Sequence, residues 1–198
     1  MEPNPEQQKL MQDVLEPFTL SLENLLSQSN TVVIAIDGRA ASGKTTLARQ
    51  LAKDYGGRLV HMDDFYLPQE LRTEKRLAEP GGNLHYERFI TDVLPGLRNL
   101  GGSSYQIFDC SQMQMGECRN LAPGRFTIVE GAYALHPKLG RYYDLSLFLS
   151  CPNETQVDRV EARNPLKLEQ FMERWIPLEE TYFNAFGVEE TVDFFIQT

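Results

Sequence analysis

The sequence predicts a single α/β unit built on a parallel sheet, and three observations predict it. Apolar, β-branched runs of strand length recur at 31–37 (TVVIAID), 126–131 (FTIVEG) and 144–150 (DLSLFLS), as in strands covered on both faces by helices. Helical patterns alternate with these runs along the chain. A Gly-rich turn of the form G-x-x-x-x-G-K-T lies between the first run and the helical pattern that follows it.

Taken in order, residues 5–29 carry Leu10, Val14, Leu15, Phe18, Leu22, Leu25 and Leu26 mostly three or four apart, the period of an amphipathic helix. Pro17 marks a break, so residues 1–30 are expected to form packing helices. After the 31–37 strand, Leu47 and Leu51 give a helix over 44–54 that stops at Gly56-Gly57. Arg58 to Met62 reads as a second strand. The stretch YLPQELRTEKRLAEPGGN mixes charge, proline and glycine without period, as an excursion at the mouth of a site would. A helix over 86–100, a strand from Tyr105 to Phe108 and a turn near 115–117 follow. Beyond the strands at 126–131 and 144–150 come helical patterns at 153–163 and 166–185 and a last strand at VDFFI.

At 198 residues the chain is long for one minimal domain and short for two, and no linker or repeat divides it; one domain over 1–198 is expected. Hydrophobic residues at 41% and charged residues at 24% are ordinary for a folded chain. A net charge of -9 argues against a broad grip on a polyanionic nucleic acid. A small charged substrate needs only a local Arg and Lys cluster. No window approaches a membrane span and residues 1–30 do not read as a secretory signal, so no membrane partner and a cytoplasmic location are expected. Cys110, Cys118 and Cys151 show no metal-ligand spacing and are expected to be reduced and structural. His61, His85 and His136 are far apart, and no zinc site is expected.

The segment Gly38-Arg39-Ala40-Ala41-Ser42-Gly43-Lys44-Thr45 lies where its chemistry requires, between a buried strand and a helix start. The glycines let the backbone wrap closely and aim N–H groups and a helix dipole at a phosphate. Lys44 supplies a mobile cation for the β- and γ-phosphates, and the Thr45 hydroxyl is a magnesium ligand.

A reaction needs further groups at the same sheet edge. Asp63 and Asp64 stand just past the second strand. Asp63 is the candidate to accept a hydroxyl proton or help hold magnesium, against the alternative of a solvated turn or helix cap. Glu130 ends FTIVEG and is a candidate magnesium-associated acid, or else a buried acid held by backbone amides. Arg159 and Arg163, four apart on a helix, share one face; they can close over a transferred phosphoryl or pair with Asp158 and Glu161 at the surface.

The order of IAIDGRAASGKTTLA, MDDFY, TIVEGAYAL, DLSLFL, the Arg-x-x-x-Arg pair and Trp-Ile-Pro-Leu-Glu-Glu, over about 31–196, resembles the uridine kinase and phosphoribulokinase group of P-loop kinases, uridine-cytidine kinases most closely. The resemblance implies a three-layer P-loop fold with a five-stranded parallel sheet of order 2-3-1-4-5 and a short helical lid at about 153–175. It implies γ-phosphate transfer from ATP to a 5′-hydroxyl of a nucleoside such as uridine or cytidine, or to another small alcohol, sugar-like or a vitamin precursor. The phosphate loop would then run from Gly38 to Thr46, with Asp63 as base, Thr45 and Glu130 with Asp63 around Mg2+, and Arg159 and Arg163 on the lid. Acceptor contacts would fall to Asp63, Tyr66, His85, Tyr86, Arg88, Phe108, Asp109 and Gln170. His85 stands where the family has an acid, and Phe108-Asp109-Cys110 stands where it has Tyr-Asp-Phe. A regulatory nucleotide-binding module is the rival reading, weakened because no Asn-Lys-x-Asp guanine-reading motif occurs. Homo-oligomerisation is left open.

Overall fold

The structure, a computed structural model, describes residues 5–110 and 112–198, with side chains described from Asp13 onward; Leu10, expected on the apolar face of the first helix, lies outside those side chains. Five strands form one parallel sheet: β1 (Val32–Gly38), β2 (Arg58–His61), β5 (Phe126–Glu130), β6 (Leu145–Ser150) and β7 (Phe194–Gln197), in the order β2-β5-β1-β6-β7. Counted along this sheet's own strands, that is the expected 2-3-1-4-5. The labels differ because β3 (Ser103–Asp109) and β4 (Gln114–Leu121) pair with each other as a separate antiparallel hairpin.

Period-2 alternation splits the buried strand residues between two faces. Ile34, Ile36, Ile128, Leu147 and Leu149 pack with Phe18 and Leu22 of α1 (Pro5–Gln28) and with Ala48 and Leu51 of α2 (Lys44–Tyr55). Val33, Val60, Val129 and Phe148 pack on the opposite face with Phe89 and with Tyr182 and Phe183. That gives three layers. No helix of the described residues is long and apolar enough to cross a membrane.

The elements follow the sequence with five corrections, the first being that the turn expected near 115–117 falls inside strand β4 of the hairpin. The first helix runs unbroken through Pro17, whose missing N–H removes a single bond while Phe18 and Leu22, both fully buried, hold the next turn down. The helix expected over 86–100 stops early: α4 spans Tyr86–Asp92, after the one-turn α3 (Glu74–Leu77), and Pro95 lies in the 3-10 turn Leu94–Gly96 that ends it. β2 stops at His61, and Met62 opens a 3-10 turn Met62–Phe65 instead of closing the strand. The single helix expected over 166–185 is three pieces: α6 (Leu168–Gln170), a π turn Phe171–Trp175 and α7 (Ile176–Phe186), with Pro177 at the α7 start. α5 (Asn153–Arg163) precedes them and α8 (Val188–Thr191) follows.

One buried cation joins the hairpin to the sheet. Arg58 of β2 donates to Thr127 Oγ1 at 2.8 Å, to the carbonyls of Leu97 and Asn99 at 2.8 and 2.9 Å and to that of Ala122 at 3.2 Å. Those carbonyls belong to the segment leading into β3 and to the residue just after β4. Arg58→Met removes every one of these bonds and strands buried acceptors. It should lower the unfolding free energy by about 3 kcal/mol, read as a reduced urea midpoint with an unchanged slope.

Candidate active site

Parallel register sets the site. Ile36 of β1 and His61 of β2 both stand opposite Glu130 of β5, so β2 and β5 end abreast with β1 running two residues further, and the loops that leave them meet at one sheet edge. At that edge lies a cavity of about 270 Å³.

Its floor is the loop from β1 into α2. Gly38 leaves the strand at φ 134°, and a Cβ there would lie 2.0 Å from the Leu149 carbonyl oxygen. Gly43 at φ 95° turns the chain into the first turn of α2. The cavity is lined by Ala40, Ala41, Gly43, Lys44, Thr45 and Thr46, six of the nine loop residues expected there. The others differ. Gly38 supplies the turn, Ser42 is fully buried, and the Arg39 side chain points away to Asn153 Oδ1 (2.8 Å) and Glu180 Oε2 (3.1 Å). Lys44 Nζ donates to the carbonyls of Gly38 and Arg39, each at 2.7 Å, and so lies along the loop.

Thr45 Oγ1 lies 3.2 and 3.1 Å from the two Glu130 carboxylate oxygens, and His61 Nδ1 meets Glu130 Oε1. Thr45 and Glu130 are hard oxygen donors that could hold a magnesium ion. Among the described residues no group of three or more His, Cys, Asp or Glu forms a cage for a metal.

The two neighbouring acids part ways. Asp64 is buried and accepts from Tyr105 Oη of β3 at 2.8 Å and from Arg119 of β4 at 2.8 Å, which binds the hairpin to the turn after β2. Asp63 opens into the cavity, where Tyr66 Oη donates to it at 3.2 Å. Protein crowding around Asp63, and then the charge of Glu130, push its carboxyl above the usual carboxylate range; Lys44, Tyr66 and His61 pull the other way. Arg159 and Arg163 line the same cavity. Arg159 donates to the Ala41 carbonyl at 3.3 Å, and the Arg163 guanidinium stands 5.6 Å from the centre of the Phe171 ring.

Of the expected acceptor residues, Tyr66 joins Asp63 in the cavity, with Trp175 behind it at a ring distance of 5.5 Å. The other six do not line it. Tyr86 is buried, with the Arg76 guanidinium 3.8 Å from its ring centre. Arg88 donates to the carbonyls of Asp64 and Gln106, and Phe108 is buried in the hairpin. His85 precedes α4 and donates its backbone N–H to Phe65. Asp109 ends β3 and accepts from the Gln112 amide, and Gln170 is exposed on α6.

Sequence reading missed His61, Asp37, Gln156, Phe171 and Glu179. Glu179 has a signal: with Tyr182 and Phe183 it forms the buried i, i+3, i+4 face of α7, an acid at a core position. Gln156 stands with Val160 on the buried face of α5 in the same way. Of the cysteines expected to be structural, Cys151 is buried, whereas Cys110 and Cys118 are exposed; all three are free.

No family model matches the chain. A possible uridine kinase from Bacillus stearothermophilus is similar in structure over 94% of this chain and 98% of its own, with a TM-score of 0.71 and 19% identity. Phosphoribulokinase from Rhodobacter spheroides is similar over 85% of this chain and 70% of its own, with a TM-score of 0.56 and 10% identity. In sequence, 51 residues are 47% identical to tRNA dimethylallyltransferase from Rhizobium etli (strain CIAT 652); they make up 26% of this chain and span 16% of that protein's length. The fold is that of the P-loop kinases of the uridine kinase and phosphoribulokinase group.

The division between the two acids is open to test. Asp64→Ala should cost about 2 kcal/mol of stability by freeing Tyr105 and Arg119, and should leave the affinity for Mg-ADP within about twofold of the parent by calorimetry.

Proposed function

We propose that the chain is an ATP-dependent phosphotransferase that moves the γ-phosphoryl group to a hydroxyl of a small molecule. The observation that carries this reading is the meeting, in one cavity, of the Gly43–Thr46 turn, the Thr45–Glu130 oxygen pair, Asp63 and two arginines. A loop for phosphates alone speaks of binding. A proton acceptor a short distance across the same cavity speaks of transfer to an O–H group.

In this reading the amides of residues 43–46 and Lys44 hold the phosphates of ATP, with Lys44 exchanging its two loop carbonyls for phosphate oxygens. Thr45 and Glu130, the latter held by His61, would carry magnesium, which neutralises charge on the β- and γ-phosphates when bound. Asp63 accepts the acceptor's hydroxyl proton. The freed oxygen forms a bond to the γ-phosphorus, and the bond from that phosphorus to the bridging oxygen breaks, leaving ADP. Arg159 and Arg163 meet the charge that spreads over the transferred group.

A nucleoside such as uridine or cytidine is the first acceptor to test, and a sugar-like alcohol or vitamin precursor the second. Favouring a ring-bearing acceptor, the cavity lining holds aromatic rings: Tyr66, which donates to Asp63 and is backed by Trp175, and Phe171. The same reading assigns the enzyme to the cytoplasm, where ATP is held and the free thiols of Cys110, Cys118 and Cys151 stay reduced.

ADP release from Mg-ATP, measured against nucleosides, other small alcohols and a no-acceptor control, tests this. Acceptor-dependent turnover is expected; nucleotide binding with no turnover on any acceptor would favour a regulatory module. Asp63→Asn should keep Mg-ATP affinity and lower kcat roughly 100-fold or more. Because crowding and Glu130 favour the neutral acid, the base form is gained as pH rises; kcat in the parent should climb through a pKa above the ordinary carboxylate range. Full turnover in Asp63→Asn would remove Asp63 as the base.

A further inference from the structure

One peptide of the phosphate loop is gripped from both sides by two helices. Glu179 of α7 accepts the Ala40 N–H at 2.9 Å, and Gln156 of α5 donates to the Ala40 carbonyl at 3.1 Å. Both side chains are buried, at 7% and 2% exposure. The neighbouring Arg39 repeats the pattern, reaching Asn153 of α5 and Glu180 of α7. These two helices flank residues 164–175, the segment that brings Phe171 to the cavity and Trp175 to Tyr66.

Holding the Ala40 peptide does not by itself call for an acid, since a neutral amide accepts an N–H equally well. Yet Glu179 lines the same cavity as Lys44, and phosphates bound there would bring several negative charges toward its carboxylate. Burial pushes this carboxyl up to about 7. Lys44 of α2 and the Ala40 amide pull it down, Asp37 of β1 and Asp63 after β2 push it up, and the phenols of Tyr66 and Tyr133 face it as well.

We propose that Gln156 and Glu179 are positioning residues that couple the 164–175 segment to the nucleotide through the Ala40 peptide, and that Glu179 takes up a proton as the phosphates enter. This inference rests on the reading of the cavity as a nucleotide site. The sign is fixed by charge: neutral Glu179 does not oppose the phosphates, charged Glu179 does, so nucleotide affinity falls as pH rises through the Glu179 pKa. Trp175, the only tryptophan in the chain, reports the coupled segment by its fluorescence.

The test titrates Mg-ADP into the parent, Glu179→Gln and Gln156→Ala between about pH 6 and 8.5, following heat and Trp175 emission. In the parent, affinity should fall about tenfold across that range. In Glu179→Gln, which keeps the acceptor and loses the charge, affinity should be nearly flat and close to the parent's low-pH value. Gln156→Ala should bind about tenfold more weakly and lose most of the nucleotide-induced change in Trp175 emission, which a purely structural role would leave intact. The same pH slope in the parent and Glu179→Gln would overturn the proton step. An unchanged Trp175 response in Gln156→Ala would overturn the coupling. A parent that binds no Mg-ADP would instead remove the nucleotide reading, and this inference with it.

Discussion

The site depends on one buried carboxylate. Asp37, fully enclosed at the end of β1, accepts the N–H of Gly38 at 2.7 Å, of Tyr133 at 3.1 Å and of Leu135 at 2.9 Å, and the Tyr182 hydroxyl at 2.8 Å. Three separate pieces of chain are thereby fixed to each other: the start of the phosphate loop, the loop that leaves β5 after Glu130, and α7. Burial pushes the Asp37 carboxyl up, and the amides of Leu135 and Gly38, the Tyr182 hydroxyl and Lys44 oppose that push. A neutral residue would leave buried donors without an acceptor, which costs more than the missing bonds alone. Tyr133 shows what this anchoring sustains. It is held at φ 74°, a left-handed conformation that bulky residues rarely adopt, by a loop that cannot relax without giving up Asp37.

Around that anchor, polar side chains set back from the cavity decide where the cavity-facing ones stand. His61 holds one Glu130 oxygen while Thr45 approaches both. Asp64, joined to Tyr105 and Arg119, fixes the turn after β2 so that its neighbour Asp63 is left facing the cavity. Arg58 fastens the base of the same hairpin to the sheet edge. The hairpin thus serves as a brace for the Asp63 turn, whereas its own Phe108 turns into the core. Buried networks of this kind are useful only when complete, and here each charged member is met by several partners.

The loop and the segment 164–175 are likewise joined through few contacts. Ala40 gives both of its backbone polar groups to side chains of α5 and α7, while Lys44 is bound to the Gly38 and Arg39 carbonyls. A phosphate loop whose outer side is tied to the helices around it is preorganised, so less order has to be created when a ligand binds. The π turn Phe171–Trp175 between α6 and α7 gives that segment its irregular course and sets Trp175 against Tyr66.

By itself the sequence determined the parallel sheet, the phosphate loop between β1 and α2, and the standing of Asp63 and Glu130 just at the strand ends, whereas the spacing of Arg159 and Arg163 left a surface ion pair equally open. The sheet, the loop and the two acids follow from local pattern and strand ends, and strand ends converge in any parallel sheet with crossover helices. It could not say that Pro17 sits inside a continuous helix, because packing of Phe18 and Leu22 overrides a local breaker. It singled out Asp63, but what sets Asp63 apart from Asp64 is tertiary: adjacent residues differ only in what surrounds them, and the partners of Asp64 come from a hairpin some forty positions on and more. Tyr86, Arg88 and Phe108 were expected as acceptor contacts, but the structure commits two of them to burial and the third to backbone carbonyls. Asp37, Gln156 and Glu179 were passed over although the last two stand out as polar residues at core positions of a helix, because their partners come from elsewhere in the chain. Each is a polar residue on an apolar face, and only the folded chain brings to it the amides, carbonyls and charges that give it a purpose.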